Sequence, residues 1–276
     1  NCWFGKVFSG ISGYNTNAYY IWIIFRQRVD NQEIREMKKY PSISVVIPAF
    51  NEEKYIDFCL KSIFIQDYPG QLEVIVVDDD STDKTLEIAR KYPVKILRNG
   101  AKSGEIGKMI GLKSSKGKYF LFLDADIDLP SKRWFEKMVF PLEEDPDIVG
   151  SFTRYISYKE DSPLNKFITL DFLQRDPMFI YLTPKLESVL VEKKKDYLVC
   201  QYSHNKILPA GLCMYRRKYL LDTEIIKQKK FMELDNLIIL LELGLNKFAY
   251  VPEAGLHHPF LPRLSELIKS RVYNMK

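Results

Sequence analysis

Cysteine and histidine are scarce in this chain, four of the first and three of the second among 276 residues. Cys2, Cys59, Cys200 and Cys213 show no close pairing and no ligand spacing with His204, His257 or His258, which argues against a zinc site and a disulfide framework and makes a reducing compartment the default. No apolar run reaches the roughly 20 residues needed to span a bilayer, and the nearest, Ala18 to Phe25, falls far short. Signal peptide, internal repeat and low-complexity tract are absent, and with Asn1 in place of an initiator methionine the chain reads as part of a longer one. Charge of one sign is in only mild excess, 41 basic against 36 acidic residues, a net +5. The clusters Lys193-Lys194-Lys195 and Lys227-Gln228-Lys229-Lys230 read singly as solvated faces and together suit an anionic partner. What is present is core material: 46% hydrophobic and 13% aromatic residues exclude disorder and suffice for one large domain with an appendage.

From Ser42 onward the pattern is regular. "SISVVIPAF" reads as a strand stopped by Pro48, and "EEKYIDFCLKSIFIQ" sets Ile56, Leu60, Ile63 and Phe64 at helical spacing. "LEVIVVDDDSTD" is a second strand, "KTLEIARKY" a second helix, "VKILRN" a third strand, "GEIGKMIGLKSSKG" a third helix and "KYFLFLDAD" a fourth strand. Alternating strands and helices predict an α/β fold with a mostly parallel central sheet and helices on both faces, which binds ligands beyond the carboxyl ends of its strands. Residues 141–220 are less regular. "FMELDNLIILLELG" then reads as a helix closed by Gly244, and "KFAYVPEAGLHHPF" as a strand and loop. Residues 1–40 form a separate helical appendage, in which Tyr19, Tyr20, Trp22 and Phe25 beside Arg26 and Arg28 suit either a membrane interface or a helix packed on the body.

Acids stand at the predicted strand ends: Glu52 after the first, Asp78, Asp79 and Asp80 after the second, Asp124, Asp126 and Asp128 after the fourth. Ser81, Thr82 and Asp83 are explained by helix capping. The set as a whole points to a binding site. Like charges at alternate positions of an extended segment share one face and repel unless something positive lies between them, and a divalent cation fits that role.

"SISVVIPAFNEEKYIDFCLKSI", "EVIVVDDDSTDKT" and "KGKYFLFLDADIDLP", in this order, resemble the nucleotide-sugar-binding half of family 2 glycosyltransferases, which adopt the Rossmann-like GT-A fold. The likeness is strong from Ser42 to Pro130 and weaker to Pro259, dividing 41–276 into a donor half, 41–130, and an acceptor half, 131–276. The resemblance implies that Pro48, Ala49, Phe50 and Glu52 line a nucleoside pocket, Phe50 giving an apolar wall. It implies that Asp79 accepts from the base, and that Asp126 with Asp124, flanking Ala125, holds Mg²⁺ or Mn²⁺ against the donor diphosphate. Asp128 is read as a turn residue. Lys102 is a candidate for a phosphate.

"VGSFTRY" resembles the stretch of polyprenyl-phosphate sugar transferases whose arginine meets phosphate, nominating Arg154, with Arg216 and Arg217 as further cations for an ionised acceptor. "PAGLCMYRRKYLL" resembles an acceptor-side segment in which Gly211 permits close backbone approach. Where many inverting members carry an acidic pair supplying the general base, this chain reads Glu233-Leu234-Asp235, so Asp235 is the base candidate and Glu233 the reserve. His257 and His258 are candidates for a third metal ligand or for the acceptor site. The Gln-X-X-Arg-Trp signature of processive synthases is missing, favouring single-sugar transfer.

The expectation is therefore an inverting, metal-dependent glycosyltransferase using a UDP- or GDP-sugar. Its acceptor is expected to be lipid-linked or a glycan, at the cytoplasmic face of a membrane, the chain being peripheral or the soluble domain of an anchored protein. A sugar-phosphate nucleotidyltransferase would share the sheet and the acids, but "IPAFNEE" lacks its glycine-rich loop. A non-catalytic membrane or nucleic-acid binding module is the other alternative, and nucleic acid is disfavoured because the acids would repel phosphate at that edge.

Overall fold

The first strand, β1 (Ile43–Ala49), is buried along nearly its whole length, so apolar cover is needed on both of its faces. The computed structural model describes residues 40–170, 185–204, 206 and 213–259. The aromatic and basic N-terminal stretch and Gly211 lie outside these residues. Contacts divide the chain after Tyr40, and every described element belongs to the body that begins at Pro41.

β1 pairs in parallel with β2 (Leu72–Asp78) over seven positions, from Ile43 opposite Leu72 to Ala49 opposite Asp78. β3 (Lys95–Arg98) extends the sheet beyond β2, and β4 (Tyr119–Phe122) lies parallel to β1 on its other side. The crossovers are α1 (Ile56–Phe64), α2 (Thr85–Ala89) and α3 (Gly104–Ser114). α3 lies so close to β1 that a Cβ on Gly111 would stand 2.2 Å from a methyl of Val46, so only glycine fits there.

The acceptor half contributes α4 (Trp134–Glu144), β5 (Gly150–Phe152), β6 (Tyr155–Ile156), α5 (Pro163–Leu170), β7 (Leu190–Lys193), β8 (Leu198–Gln201), β9 (Cys213–Arg216), α6 (Arg217–Leu221), α7 (Glu233–Glu242), β10 (Lys247–Tyr250) and β11 (Leu256–His257). Nine strands form one sheet in the order β3-β2-β1-β4-β9-β5-β10-β8-β7, and β6 and β11 make a separate two-stranded ribbon. β9 runs antiparallel to both β4 and β5, and β8 antiparallel to β10 and β7. The sheet is thus mostly but not strictly parallel, with helices packed on it. One core packs Val46, Ile75, Val77, Phe120 and Phe122 of the strands with Met109 and Leu112 of α3 and Leu237 and Leu240 of α7; the alternate residues Val45, Ile47, Val76 and Leu121 are buried too. α7 ends as its sequence reads: Gly244 takes φ +75°, with Leu245 N–H on the Leu240 carbonyl and Gly244 N–H on Leu241, a Schellman closure. Among the described residues no helix is long and apolar enough to cross a membrane.

Candidate active site

The loops after β1 and β2 are sewn together by reciprocal bonds. Asn51 N–H donates to Ser81 Oγ and Thr82 N–H to Asn51 Oδ1; Glu52 N–H donates to Thr85 Oγ1, Glu53 N–H to Asp83 Oδ2 and Lys84 N–H to Glu53. Asp83, just before α2, also accepts from Thr85 N–H; the N-cap itself is Lys84, without a side-chain cap, and Ser81 and Thr82 bond Asn51 rather than the helix, which corrects the capping reading of these residues. Asn51, Asp80 and Lys102 adopt φ of 56°, 60° and 50°. These are left-handed conformations uncommon outside glycine, and all three flank one strand edge, as strain retained at functional sites does.

The three successive acids at the end of β2 separate into three roles. Asp78, buried, accepts from Ser81 N–H and closes the turn. Asp80 pairs with Arg98 at 2.8 Å in solvent. Asp79 alone lines a cavity of about 330 Å³, together with Pro48, Ala49, Phe50, Glu52, Asp124, Ala125 and Asp126. The candidate donor residues are thereby brought together, with one exception. Lys102 has an exposed side chain and does not line the cavity; its backbone N–H donates to Asp79 Oδ1 at 2.6 Å and holds that carboxylate.

β4 ends at Phe122, earlier than the sequence reading, because Ile127 N–H returns to the Asp124 carbonyl in a turn. The acids therefore do not lie along one extended face. Asp124 and Asp126 line the cavity, while Asp128 is buried and accepts a hydrogen bond from the Tyr158 hydroxyl. The two histidines also part: His257 is buried against Asp161, and His258 lines the cavity with Nε2 3.5 Å from Asp126 Oδ1.

Five residues that line this cavity escape the sequence reading: Val77, Asn99, Gly104, Glu105 and Lys108. Asn99 borders it, and Lys108 of α3 reaches into it. Lys108 Nζ stands 2.5 Å from Glu233 and 3.9 Å from Asp124 Oδ1, above the Phe122 ring. Burial opposes its charge, but Asp124 and Glu233 outweigh burial and hold its pKa above the ordinary lysine value. The signal was available: a lysine one turn into a helix that starts at the acidic edge. Glu233, half-buried at the start of α7, and Asp235, exposed, both lie outside the cavity lining, and Glu233 alone reaches it through Lys108.

Arg154 is exposed and donates from Nε to the Pro252 carbonyl at 3.2 Å, away from the cavity-lining residues. Arg216 and Arg217 are displaced farther. Because β9 opposes β4, its last residue pairs with Tyr119 at the start of β4, on the sheet edge opposite the acids. Arg216 is buried there, donating to the carbonyls of Ile148, Leu142 and Asp145, and so caps α4. Arg217 bonds the Gly117 carbonyl. Neither is available to an acceptor at the donor edge, which corrects the reading of them as phosphate ligands.

The cavity is short of positive charge. Burial, then Asp126, Asp124 and Asp83, push Glu52 from 4.5 up to about 7. Burial likewise raises Asp126, with His258 pulling down and Asp124 pushing up. Hard carboxylate oxygens with an unbalanced negative potential, beside an imidazole, fit Mg²⁺ or Mn²⁺. Among the described residues no group of three or more His, Cys, Asp or Glu side chains could by itself hold a metal ion.

The raised Glu52 carboxyl carries a stability consequence. Its folded pKa lies above the unfolded one, so the favourable contribution is complete below about pH 4.5 and is lost as pH rises through 7. Glu52→Gln is expected to stabilise the fold at pH 8 by on the order of 1 kcal/mol after allowing for solvent screening of a half-buried group, read as a higher melting temperature. The gain should shrink toward pH 5. A gain independent of pH in calorimetric melts would refute the assignment.

Comparison with known proteins agrees with this geometry. The family model for Glycosyl transferase family 2 matches residues 44–222. An uncharacterized glycosyltransferase of Haemophilus influenzae is 41% identical over 132 residues, 45% of this chain and 40% of that one. A dolichyl N-acetyl-alpha-D-glucosaminyl phosphate 3-beta-D-2,3-diacetamido-2,3-dideoxy-beta-D-glucuronosyltransferase of Methanococcus voltae is 37% identical over 91 residues, 30% of this chain and 28% of that one. The chain thus spans less than half the length of these relatives. The crystal structure of glucosyl-3-phosphoglycerate synthase from Mycobacterium tuberculosis, in complex with Mg²⁺ and UDP, shares the fold at a TM-score of 0.56 and 23% identity, covering 84% of this chain and 75% of that one.

Proposed function

Because the chain belongs to glycosyl transferase family 2, we propose that it transfers a sugar from a nucleotide sugar to an acceptor by one inverting displacement at the anomeric carbon, with a nucleoside diphosphate as leaving group. The observation that carries the reading is the convergence of Phe50, Asp79, Asp124, Asp126, Lys108 and His258 on one cavity at the carboxyl edge of the parallel strands. Phe50, half exposed, offers an apolar wall to a base or ribose. Asp79, held by Lys102 N–H, offers an acceptor to a base N–H. Asp126 and His258, beside Asp124, would hold Mg²⁺ or Mn²⁺ together with diphosphate oxygens, and the ion when bound stabilises negative charge on the diphosphate. Lys108 supplies a second positive charge beside Asp124. UDP is the favoured nucleotide, supported by the mycobacterial enzyme crystallised with it.

For the general base we favour Glu233 over Asp235, since Lys108 ties Glu233 to the donor cavity and nothing ties Asp235 there. The acceptor reading is a lipid-linked or membrane-surface glycan at the cytoplasmic face of a membrane. Its support is the aromatic and basic sequence before residue 40 and the dolichyl-phosphate relative.

A thermal-shift panel tests the donor half. UDP-sugar with Mn²⁺ is expected to raise the melting temperature, by the equivalent of about 2.7 kcal/mol at a hundred times Kd. GDP- and dTDP-sugars should do less. No shift with any nucleotide sugar in the presence of Mn²⁺ would remove the proposal.

A further inference from the structure

Behind the acids lies a closed polar ring whose four residues do not themselves line the donor cavity. Asp128 and His257 exchange both backbone hydrogen bonds, at 2.9 and 3.0 Å. The Tyr158 hydroxyl donates to the Asp128 carboxylate. Tyr158 N–H donates to Asp161 Oδ2 at 2.8 Å, and the same carboxylate lies 3.0 Å from His257 Nε2. The ring is completed by stacking of Tyr158 on His257, centroids 4.0 Å apart and planes 24° from parallel. Asp128 and His257 are buried, and none of the four residues lines the cavity.

Burying polar groups costs desolvation, and apolar side chains would fill this volume at lower cost. What the ring adds is a unique geometry, although His257 Nδ1 is buried without a hydrogen-bond partner among the described residues. Here the geometry has a direct consequence. His257 and His258 are neighbours where β11 ends, and consecutive side chains of an extended segment point to opposite sides. Holding His257 inward against Tyr158 and Asp161 turns His258 outward, where its Nε2 meets Asp126. The backbone exchange fixes the spacing, since Asp128 is two residues from Asp126 and His257 one from His258. Tyr155, in register with Leu256 across the β6–β11 ribbon, packs edge-on to the His258 ring at 6.2 Å, and Asn165 Nδ2 reaches the His258 carbonyl at 3.5 Å.

We propose that Asp128, Tyr158, Asp161 and His257 form a clasp that positions His258 against Asp126, and so sets the affinity for a divalent cation bound together with a nucleoside diphosphate. The four are positioning residues acting through His258 and Asp126. The inference rests on the reading of Asp126 and His258 as cation ligands completed by diphosphate oxygens.

The test is UDP binding to the full chain by isothermal titration, once with Mn²⁺ and once with chelator. Tyr158→Phe keeps the ring and removes only the hydroxyl; Asp161→Asn loosens the other side of the ring and serves as the second variant. Each is expected to weaken UDP binding about tenfold with Mn²⁺, the size usual for groups that orient a metal ligand, and by less than about twofold with chelator. In a His258→Ala background neither should have a further effect, because the route of its influence is gone. Equal losses in both arms, or losses that add to that of His258→Ala, would show that the ring merely stabilises the fold and would overturn the proposal. Affinity in the unaltered chain that is the same with Mn²⁺ and with chelator would instead overturn the cation reading, and the clasp with it.

Discussion

Asp126→Ala is expected to abolish Mn²⁺-dependent UDP binding and to reduce sugar transfer to below about 1% of the parent rate. Asp126 is the one acid that lines the cavity, faces His258 and shares its surroundings with Asp124 and Glu52. Removing it takes away a ligand and leaves His258 without its carboxylate partner. Asp124→Ala should be milder. Asp124 is more exposed and is already matched in part by Lys108 at 3.9 Å, so its loss weakens the negative potential without emptying it. Asp128→Asn makes the informative contrast. The same spacing in sequence would make it a third ligand, but its carboxylate is taken up by Tyr158, so its effect should resemble that of Tyr158→Phe. Titration of UDP with Mn²⁺ into the three variants decides this. Near-parental, Mn²⁺-dependent affinity in Asp126→Ala would dismantle the donor-site reading.

The donor half was legible because of how a parallel sheet hides its strands. β1, β2 and β4 are buried on both faces, which writes them as unbroken apolar runs, and the intervening helices restore a 3.6-residue period. The acceptor half lacks that signature. β5, β8 and β9 are three or four residues long and reach partners far away in sequence, too short for a period to be read. Individual side chains failed for a related reason. Arg216 sits in a basic stretch and reads as a surface cation, yet it caps α4 across about 70 residues of chain. Lys108 finds Glu233 at a separation of 125 residues. Asp128 precedes a proline and reads as a turn residue, while its partner is Tyr158, 30 positions on. In each case the residue type was visible and its partner was not, because the partner is set by how strands stack and reverse.

The Glu233–Lys108 pair bears on the acceptor step. A sugar hydroxyl must lose its proton in the transition state, and a positioned base is worth about 10²–10⁴-fold in rate. Glu233 is paired with the cavity-lining Lys108, whereas Asp235, two residues along α7, is exposed and without a side-chain partner among the described residues. Glu233→Gln keeps an oxygen for Lys108 and so should leave UDP affinity within about threefold while lowering kcat for a hydroxyl acceptor by about 10²-fold or more. Asp235→Asn should change either quantity less than about twofold. Lys108→Met differs in kind: it leaves Glu233 and Asp124 facing each other without a cation, so it should weaken donor binding as well as slow transfer. A phosphate acceptor is already ionised and needs no base, so with that acceptor Glu233→Gln should cost little. Steady-state kinetics of the variants on hydroxyl and phosphate acceptors, at saturating donor, separates these cases. If Asp235→Asn abolishes transfer to a hydroxyl while Glu233→Gln leaves it untouched, the base is Asp235, and the ion pair with Lys108 only shapes the donor wall.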